Sequence, residues 1–264
     1  MTLETIYNLC NYISGKELTG NAFTLDQFNL IINSTQAEIK AEELDALLAL
    51  KIKADQHALS EYINSWMLKP FVKQKSLIVT PVDGYAVIPD DYERYVSAFS
   101  MYNDVFRPID IVDTETFNIR RASVNYQPEV HPFGEIIDTK INLIPYDIGC
   151  QLTYIRKSAI PFQDYCQDAI TLEVIFMPAG SYIDKDPNDS SVYILYDYLN
   201  NIINNSILSS HDLHLLPFNS LTKELEFEDW THFKFISRIL SKVGVNLSEQ
   251  GVSQYAETKI KEGK

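Results

Sequence analysis

The sequence predicts an α+β protein with an N-terminal helical bundle, a central antiparallel β-meander and C-terminal helices. Apolar residues recur every three or four positions up to about residue 70, which is typical of helices. From Ser76 the apolar period changes to two, and segments rich in β-branched and aromatic residues follow each other up to Met177. After Met177 the apolar residues are again spaced as in helices. We therefore expect a helical region over 1–70, a β-rich region over 71–180, and a helical region with a tail over 181–264, integrated into one domain.

The N-terminal region predicts one helix followed by a long helical stretch. The first helix is indicated by apolar residues at helical spacing, which are Leu3, Ile6, Leu9, Cys10 and Ile13. Thr24 and Gln27 have the spacing of a capping box, in which each side chain bonds the backbone N–H of the other residue. A second helix should therefore begin there. The pattern continues to Leu68, which is too long for one average helix. We expect two helices, with a break near 33–34 or near Lys53.

The central region predicts short strands separated by turns. The strand candidates are SLIVT, YAVIP, YVSAFSMY, VFRPIDIV, GEIID, KINLIP, CQLTYIRK and TLEVIFM. Asp83 with Gly84 suits a tight hairpin turn, and MYNDVF suits a second hairpin. Asp113 or Thr114 is expected to cap a short helix over DTETFNIRRAS. Residues 134–157 resemble three strands folded back on each other, with almost no side chain suited to chemistry.

The C-terminal region predicts an acidic loop and further helices. The loop is DKDPND at 184–189, and a helix is expected within 190–210. Apolar residues there hold helical spacing, namely Leu195, Leu199, Ile202, Ile203 and Ile207. Residues 229–244 form another amphipathic pattern, which Gly244 should end. The segment 248–264 is interpreted as a final polar helix, with a frayed terminus as the alternative.

The charge of the chain restricts its partners. The formal net charge of −14 argues against general nucleic-acid binding, which neutralises phosphates with Lys and Arg. Short basic clusters, such as Lys73 with Lys75 and Arg120 with Arg121, are interpreted as ion-pair partners or solvated faces. The N-terminus lacks the pattern of a signal peptide, and no apolar run is long enough to predict a membrane span.

The cysteines and histidines do not form a metal motif. Cys10, Cys150 and Cys166 lie far apart in the sequence, so we expect reduced thiols that pack as small hydrophobic groups. His211 and His214 are three residues apart, which on a helix would suit a shared metal. No third ligand accompanies them, and a polar loop is the preferred interpretation. We predict no metal and no cofactor.

A partial calcium-loop pattern occurs in the acidic loop. Asp184, Asp186 and Asn188 match the first, third and fifth positions of such a loop. Asp189 then occupies the position that needs Gly, and Leu195 occupies the position of the bidentate Glu. We interpret the segment as a solvated loop that caps the next helix.

A cluster of carboxylates is the strongest catalytic alternative. Asp90, Asp91 and Glu93 lie in IPDDYERY, and paired carboxylates can perform acid–base chemistry. Neighbours on a turn need not face each other across a substrate, so capping and solvation are the preferred interpretation. Common nucleophile, metalloprotease and nucleotide-binding motifs do not occur in the sequence. We predict no catalytic residue.

The central region resembles head–tail adaptor proteins of tailed phages, also called connector or ring proteins. The resemblance lies in YAVIPDDYERYVSAFSMYNDVFRPIDIVDTETFNIRRAS and GEIIDTKINLIPYDIGCQLTYIRKSAIP. Its elements are, in order, an lP.dy.r segment at 88–92, strands at 96–101 and 106–109, a short helix at 113–117, and strands at 141–145 and 152–156. The ending KVGVNLSEQGVSQYAETKIKEGK and the Asn-, Ile- and Tyr-rich composition are most similar to ring proteins of crAss-like phages. The acidic loop at 184–189 has no counterpart in shorter members.

The resemblance implies a structural virion protein of a short-tailed phage. Such proteins form a ring, commonly dodecameric, below the portal protein, after folding in the host cytoplasm. The ring extends the DNA channel, gives the next ring or tail component a platform, and helps retain the genome until ejection. DNA passes through without sequence-specific binding, and no membrane is involved.

The resemblance also implies a role for the C-terminal tail. Family members commonly use a C-terminal tail or helix to hold the portal or a neighbouring copy, which by position corresponds to 244–264. The expected interface residues are Val245, Leu247, Val252, Tyr255 and Ile260. Two alternatives remain open, namely a hydrolase that uses surface carboxylates such as Asp90 and Asp91, and a monomeric binding module of the tail or baseplate.

Overall fold

A computed structural model confirms the predicted α+β class, with N-terminal helices, antiparallel sheets and a C-terminal helix. The chain divides into two compact units. Unit 1 comprises Met1–Leu59 and Ala159–Lys264, and unit 2 comprises Ser60–Ser158. The structure describes residues 1–17, 24–52, 67–79, 84–102, 105–128, 130–145, 149–167, 174–187, 192–204 and 218–244.

The described residues form helices at both ends of the chain and one short helix within unit 2. The helices are α1 (Leu3–Glu17), α2 (Leu25–Ile52), α3 (Thr114–Ala122) and α4 (His232–Lys242), with short 3-10 turns at Lys69–Phe71 and Asp229–Thr231. The strands are β1 (Val72–Leu77), β2 (Tyr85–Val87), β3 (Tyr92–Tyr102), β4 (Val105–Pro108), β5 (Asp110–Ile111), β6 (Phe133–Ile137), β7 (Lys140–Ile144), β8 (Gly149–Arg156), β9 (Asp164–Gln167), β10 (Val174–Met177), β11 (Tyr182–Lys185), β12 (Tyr193–Tyr196), β13 (Ile202–Asn204) and β14 (Phe218–Asn219).

Helix α2 begins at the predicted capping box. The Thr24 backbone N–H donates to Gln27 Oε1 at 3.0 Å, and the Gln27 N–H donates to Thr24 Oγ1 at 3.3 Å. The helix continues without interruption through 33–34, so the break predicted there is wrong. Helical hydrogen bonds and the buried side chains on both sides of this point, such as Ile32 and Thr35, keep the helix continuous. The alternative break at Lys53 lies outside the described residues, as do residues 53–66 of the helix expected up to Leu68, whereas Met67 and Leu68 form a turn instead of the end of that helix.

Helix α4 packs along α2 in unit 1 through an apolar face and a row of ion pairs. The buried apolar residues of α4 recur at helical spacing, and they are Phe235, Ile236, Ile239 and Leu240. The ion pairs are Lys234–Glu43 (3.0 Å), Arg238–Glu42 (2.6 Å) and Lys242–Glu38 (2.8 Å). Residue numbers rise along α4 while they fall along α2, so the two helices are antiparallel. Gly244, at φ +89°, follows α4 and confirms the predicted stop.

A buried polar network joins α2 to strand β9 within unit 1. The Asn29 side chain donates to the Gln163 carbonyl at 3.0 Å and accepts from the Gln163 N–H at 2.9 Å. The Gln163 side chain in turn donates to the Asp164 carbonyl at 2.9 Å and to the Met177 carbonyl at 3.3 Å. The Asn29 side chain therefore forms the two hydrogen bonds with the backbone of Gln163 that a neighbouring strand would form. In this way helix α2 satisfies a buried backbone N–H and carbonyl.

Asp164 extends this network toward the segment that follows β14. One carboxylate oxygen accepts from the Tyr165 N–H and the other from the Leu221 N–H, each at 2.9 Å. The Asp164 N–H donates to Thr222 Oγ1 at 2.9 Å, and that hydroxyl donates to the Met177 carbonyl at 2.6 Å. Asp164 is only 3% exposed. Both oxygens of this buried side chain are therefore satisfied by backbone N–H donors inside the protein.

The helix predicted within 190–210 is wrong, because strands β12 and β13 occupy this segment. Strand β12 pairs antiparallel with β11 and with β13. Ile183 and Leu195 face each other in the buried layer, whereas Tyr182 and Tyr196 stack on the other face with their ring centroids 5.1 Å apart. The acidic segment is also not a simple loop, since Tyr182–Lys185 is a strand. Cross-strand burial and β-branched or aromatic residues outweigh the helical spacing of the apolar positions.

Unit 2 contains two sheets that share one apolar core. Their strand orders are β1-β8-β3-β4 and β2-β7-β6-β5. Ala98, Leu152 and Tyr154 from the first sheet and Ile141 and Leu143 from the second belong to the same buried cluster. The two sheets therefore pack face to face, and helix α3 connects β5 to β6, which are parallel.

Several predicted connections in unit 2 are confirmed and two are wrong. The β3–β4 hairpin forms at MYNDVF, and the β6–β7 hairpin forms as expected. Asp113 caps α3 by accepting the Thr116 N–H at 2.8 Å. The hairpin expected at Asp83 and Gly84 does not form, because β1 and β2 lie in different sheets. The third strand of the predicted meander, β8, pairs with β1 and β3 instead of β7, since its alternate residues complete the core of the first sheet.

Candidate interaction surfaces

Several residues singled out in the sequence lie outside the described residues. The predicted tail interface of Val245, Leu247, Val252, Tyr255 and Ile260 belongs to this group. So do His211, His214, Asn188 and Asp189. Of the calcium-loop pattern, the structure places Asp184 on β11 and Leu195 in the buried layer of β12. Among the described residues, no group of His, Cys, Asp and Glu is arranged to hold a metal ion.

Asp91 has a structural role at the start of β3. Its carboxylate accepts hydrogen bonds from Lys73 Nζ at 2.6 Å and from the Tyr154 hydroxyl at 2.7 Å. The Asp91 carbonyl also accepts from the Lys157 N–H at 2.7 Å. The bonds from Lys73 and then Tyr154 lower the pKa of Asp91, while burial and then the Asp91 carboxylate raise the pKa of Tyr154 to about 12. Asp91 thus joins β1, β3 and β8.

We expect Asp91→Asn to destabilise unit 2 in a pH-dependent way. At pH 7 the loss should be about 1 kcal/mol, because the ion pair is partly exposed and weakened by solvent. The pKa of Asp91 is lowered on folding, so its contribution is complete above the ordinary Asp pKa of about 3.9 and disappears as the pH falls through the folded value. Urea unfolding from pH 7 to pH 3 should show a constant gap between the two proteins above about pH 5, which closes below about pH 4.

Asp90→Asn is the matched control for this experiment. Asp90 is exposed, and its one hydrogen bond within the described ranges is accepted by its backbone carbonyl from Lys157 Nζ at 3.2 Å. This variant should follow the wild-type stability at every pH. A gap between wild type and Asp91→Asn that widens below pH 4 would contradict the assignment.

The cysteines are buried and unpaired, as predicted. Cys10, Cys150 and Cys166 are free thiols inside the protein. Burial raises the pKa of all three, and for Cys150 and Cys166 the value is about 12. These thiols therefore stay protonated at neutral pH and contribute packing rather than nucleophilic chemistry.

An ordered turn in unit 1 presents apolar side chains to solvent. We name residues 197–203, which follow β12 and include the first two residues of β13, the apolar turn. Tyr198 is 73% exposed and Leu199 is 62% exposed, and Ile202 and Ile203 on β13 are also exposed. Large apolar side chains clustered on a surface are typical of a binding site.

Local hydrogen bonds fix the conformation of the apolar turn. Asp197 Oδ1 accepts from the backbone N–H groups of Leu199 and Asn201, each at 2.8 Å, and Oδ2 accepts from the Asn201 side chain at 2.8 Å. These bonds, led by the side-chain bond from Asn201, lower the pKa of Asp197. Asn200, at φ +64°, occupies the left-handed region that Asn tolerates, and its side chain accepts from the Tyr182 hydroxyl at 2.9 Å. The turn therefore holds Tyr198 and Leu199 in a preset arrangement.

Unit 2 presents a second apolar surface on the outer side of its first sheet. Phe99 on β3 pairs with Pro108 on β4, and Met101 pairs with Phe106 two residues along. Directly opposed residues share one face of a sheet, and this face is turned away from the core residue Ala98. Phe106 is 64% exposed, and Phe99 is exposed to a lesser extent. We name Phe99 and Phe106 the β3–β4 face.

Sequence reasoning did not identify either surface. For the apolar turn, the signal was the DYLNN segment, in which Asp and Asn residues at turn positions interrupt the apolar pattern. For the β3–β4 face, alternation along β3 predicts which side is apolar, but a partner sheet could equally have covered Phe99 and Phe106. Exposure of these rings is visible only once the sheet order is known.

The acidic excess of the chain lies mostly in unit 1. Unit 1 contains 23 acidic and 12 basic residues, which gives a net charge of −11, whereas unit 2 contains 13 and 10, which gives −3. Unit 1 would therefore repel a polyanion, whereas unit 2 is close to neutral. Within the part of the chain that the structure describes, no helix is long and apolar enough to cross a membrane. No protein-family model and no curated protein matches the chain.

Proposed function

We propose that the protein is a structural virion protein that forms a ring below the portal and connects the head of a short-tailed phage to its tail. The observation that carries the proposal is the order of elements in 88–156. In the described structure, β3, β4, α3, β7 and β8 occur in the order that the resemblance to head–tail adaptors implies, with β5 and β6 between them. The order of the strands and the short helix concerns the fold alone, and the resemblance to adaptor proteins connects this fold with a virion role.

The two apolar surfaces support assembly into a ring. A ring of identical subunits uses a heterologous interface, in which one surface of each copy contacts a different surface of the next. The apolar turn of unit 1 and the β3–β4 face of unit 2 are two such different surfaces on one chain. Aromatic side chains such as Tyr198 and Phe106 are the type that dominates the energetics of protein interfaces. We assign a neighbouring copy of this chain as the partner of these surfaces.

The acidic charge supports a role beside DNA that must move. A channel formed by subunits with the net charge of unit 1 would repel phosphates, so DNA would pass through without being bound. The proposed partners are accordingly the portal protein, neighbouring copies in a ring and the next ring or tail component, with packaged DNA passing through the channel. The tail residues 244–264 are assigned to docking on the portal or on a neighbouring copy.

Cryo-electron microscopy of the purified protein mixed with the portal ring of the same virus tests the proposal. We expect an added layer below the portal that has the symmetry of the portal. The double variant Tyr198→Asp with Leu199→Asp should form no closed layer, because it places two charges where an apolar contact is needed. Ile78→Asp, at an exposed apolar residue outside both surfaces, is the matched control and should form the layer as the wild type does.

Mixing variants of the protein with the same portal ring tests the role of the tail, the adaptor function and the role of the apolar turn separately. A chain that lacks 244–264 should remain folded and leave the portal bare if the tail is the docking element. A bare portal with the full-length wild-type protein would overturn the adaptor function. A layer formed equally by wild type and by the Tyr198 and Leu199 double variant would remove the apolar turn from the interface but keep the adaptor.

A further inference from the structure

Unit 2 contains a pocket of about 520 Å³ beside the C-terminal end of α3. Pockets of this size bind small molecules, or one side chain of a partner together with the residues next to it. Its principal lining residues are Arg120, Arg121, Tyr126, Phe133, Ile144 and Pro145. The pocket thus combines an aromatic and aliphatic wall with two guanidinium groups, and the two arginines have different roles.

Arg120 belongs to the wall of the pocket. Its guanidinium forms an ion pair with Asp110 and lies 5.5 Å from the ring centroid of Tyr126 and 6.0 Å from that of Phe133. The Tyr126 ring meets the Phe133 ring edge-on with centroids 4.9 Å apart, and the Tyr126 hydroxyl donates to the His131 carbonyl at 2.9 Å. The charge of Arg120 is therefore matched by Asp110, and the rings around it are fixed in place.

Arg121 supplies the unmatched charge of the pocket. It lies on the exposed rim and has no ion-pair partner in the described parts of the chain. Among the described lining residues, Arg120 is balanced by Asp110, so Arg121 leaves the pocket with one net positive charge. The carbonyl groups at the end of α3 add partial negative charge nearby, which reduces this positive charge but does not cancel it. The pocket is therefore suited to an anionic group.

We propose that this pocket binds a carboxylate carried on a flat apolar group such as an aromatic ring. The ring would lie against Tyr126, Phe133 and Pro145, where it is removed from water. The carboxylate would face the guanidinium of Arg121, whose planar set of donors matches two carboxylate oxygens. Such a group can come from a free aromatic acid or from the last residue of a polypeptide. The proposal does not depend on the assembly of the protein into a ring below the portal.

Methyl NMR of the full-length protein with labelled isoleucine δ1 methyl groups tests this proposal. Ile144 lines the pocket and reports binding, while Ile155, buried in β8, is the internal reference. Benzoate should shift the Ile144 signal in a saturable way, with half-saturation at millimolar concentration. Benzyl alcohol, which lacks the charge, should bind at least tenfold more weakly.

Variants at the rim assign the effect to one side chain. Arg121→Gln should weaken benzoate binding at least tenfold and leave the thermal unfolding temperature unchanged, because Arg121 is exposed. Lys75→Gln removes the same charge from an exposed position on β1 and should bind benzoate as the wild type does. Equal binding by Arg121→Gln and wild type, or no saturable shift of Ile144 with benzoate, would overturn the proposal.

The source of the carboxylate is found by comparing the binding of two ligands, benzoate and N-acetyl-phenylalanine. Saturable binding of either one supports the proposed site. N-acetyl-phenylalanine has an aromatic ring, a carboxylate and a peptide bond, as the last residue of a chain does. Tighter binding of this compound than of benzoate, lost in Arg121→Gln, assigns the pocket to a polypeptide C-terminus. Tighter binding of benzoate assigns it to a free aromatic acid.

Discussion

Gly134→Ala is expected to lower the free energy of unfolding by about 3 kcal/mol. Gly134 lies on β6 between Leu143 on β7 and Ile111 on β5. A Cβ atom at this position would lie 2.6 Å from the Asn142 carbonyl oxygen and 2.8 Å from Leu143 Cδ2. Because the first of these is a backbone atom inside a sheet, the strand pairing itself would have to shift. The loss should therefore reach the upper end of the range for overpacked cores.

Gly149→Ala is the matched control for the Gly134 variant. Gly149 begins β8, and a Cβ atom there would meet nothing within 4 Å. Urea unfolding followed by circular dichroism should show a lower midpoint for Gly134→Ala and a change within about 0.5 kcal/mol for Gly149→Ala. Equal stability of the two variants would mean that β6 and β7 can separate without cost, against the close approach in the structure.

Asn29→Ala is expected to have an effect of similar size in unit 1, about 3 kcal/mol. The side chain of Asn29 makes reciprocal bonds to the N–H and carbonyl of Gln163, and the site is buried. Alanine cannot replace either bond, so one buried donor and one buried acceptor of the backbone lose their partner. Each unsatisfied buried group costs about 1–3 kcal/mol, whereas a lost bond at the surface costs far less.

Asn33→Ala separates this effect from the preference of helices for alanine. Asn33 lies one turn further along α2 and is only half-buried, and the change of residue is the same. This variant should be as stable as the wild type or slightly more stable, because alanine is the better helix former. Thermal unfolding of the two variants should differ clearly. Similar unfolding temperatures would show that water replaces the Asn29 side chain at Gln163.

Predictions from local sequence were right where a few neighbouring residues decide the structure. Thr24 with Gln27 and Asp113 with Thr116 form their caps because donor and acceptor lie three residues apart. The β3–β4 hairpin forms because its turn and its strands are adjacent in the sequence. In each case the interaction depends on no distant residue.

Predictions failed where distant partners decide the structure. Within 190–210 the apolar spacing fits a helix, but β11 provides a partner that buries Leu195. The local pattern would pair β8 with β7 in a meander. Strand β8 instead pairs with β1 and β3, which lie earlier in the chain. The polar cluster around Asp164 could not be predicted, because its members come from segments that have no local pattern in common. The same limit applies to the pocket at Arg121, whose wall comes from three separate segments.

The insertion of unit 2 between the two parts of unit 1 has a consequence for synthesis on the ribosome. Asn29 and its partner Gln163 are separated by 134 positions, so helix α2 is made on the order of 10 s before the backbone that it must satisfy. All strands of the two sheets of unit 2 lie within Ser60–Ser158 and are complete before that partner emerges. Helices α1 and α2 are thus translated well before α4, on which both pack, and the apolar faces that α4 covers stay exposed until it has been made.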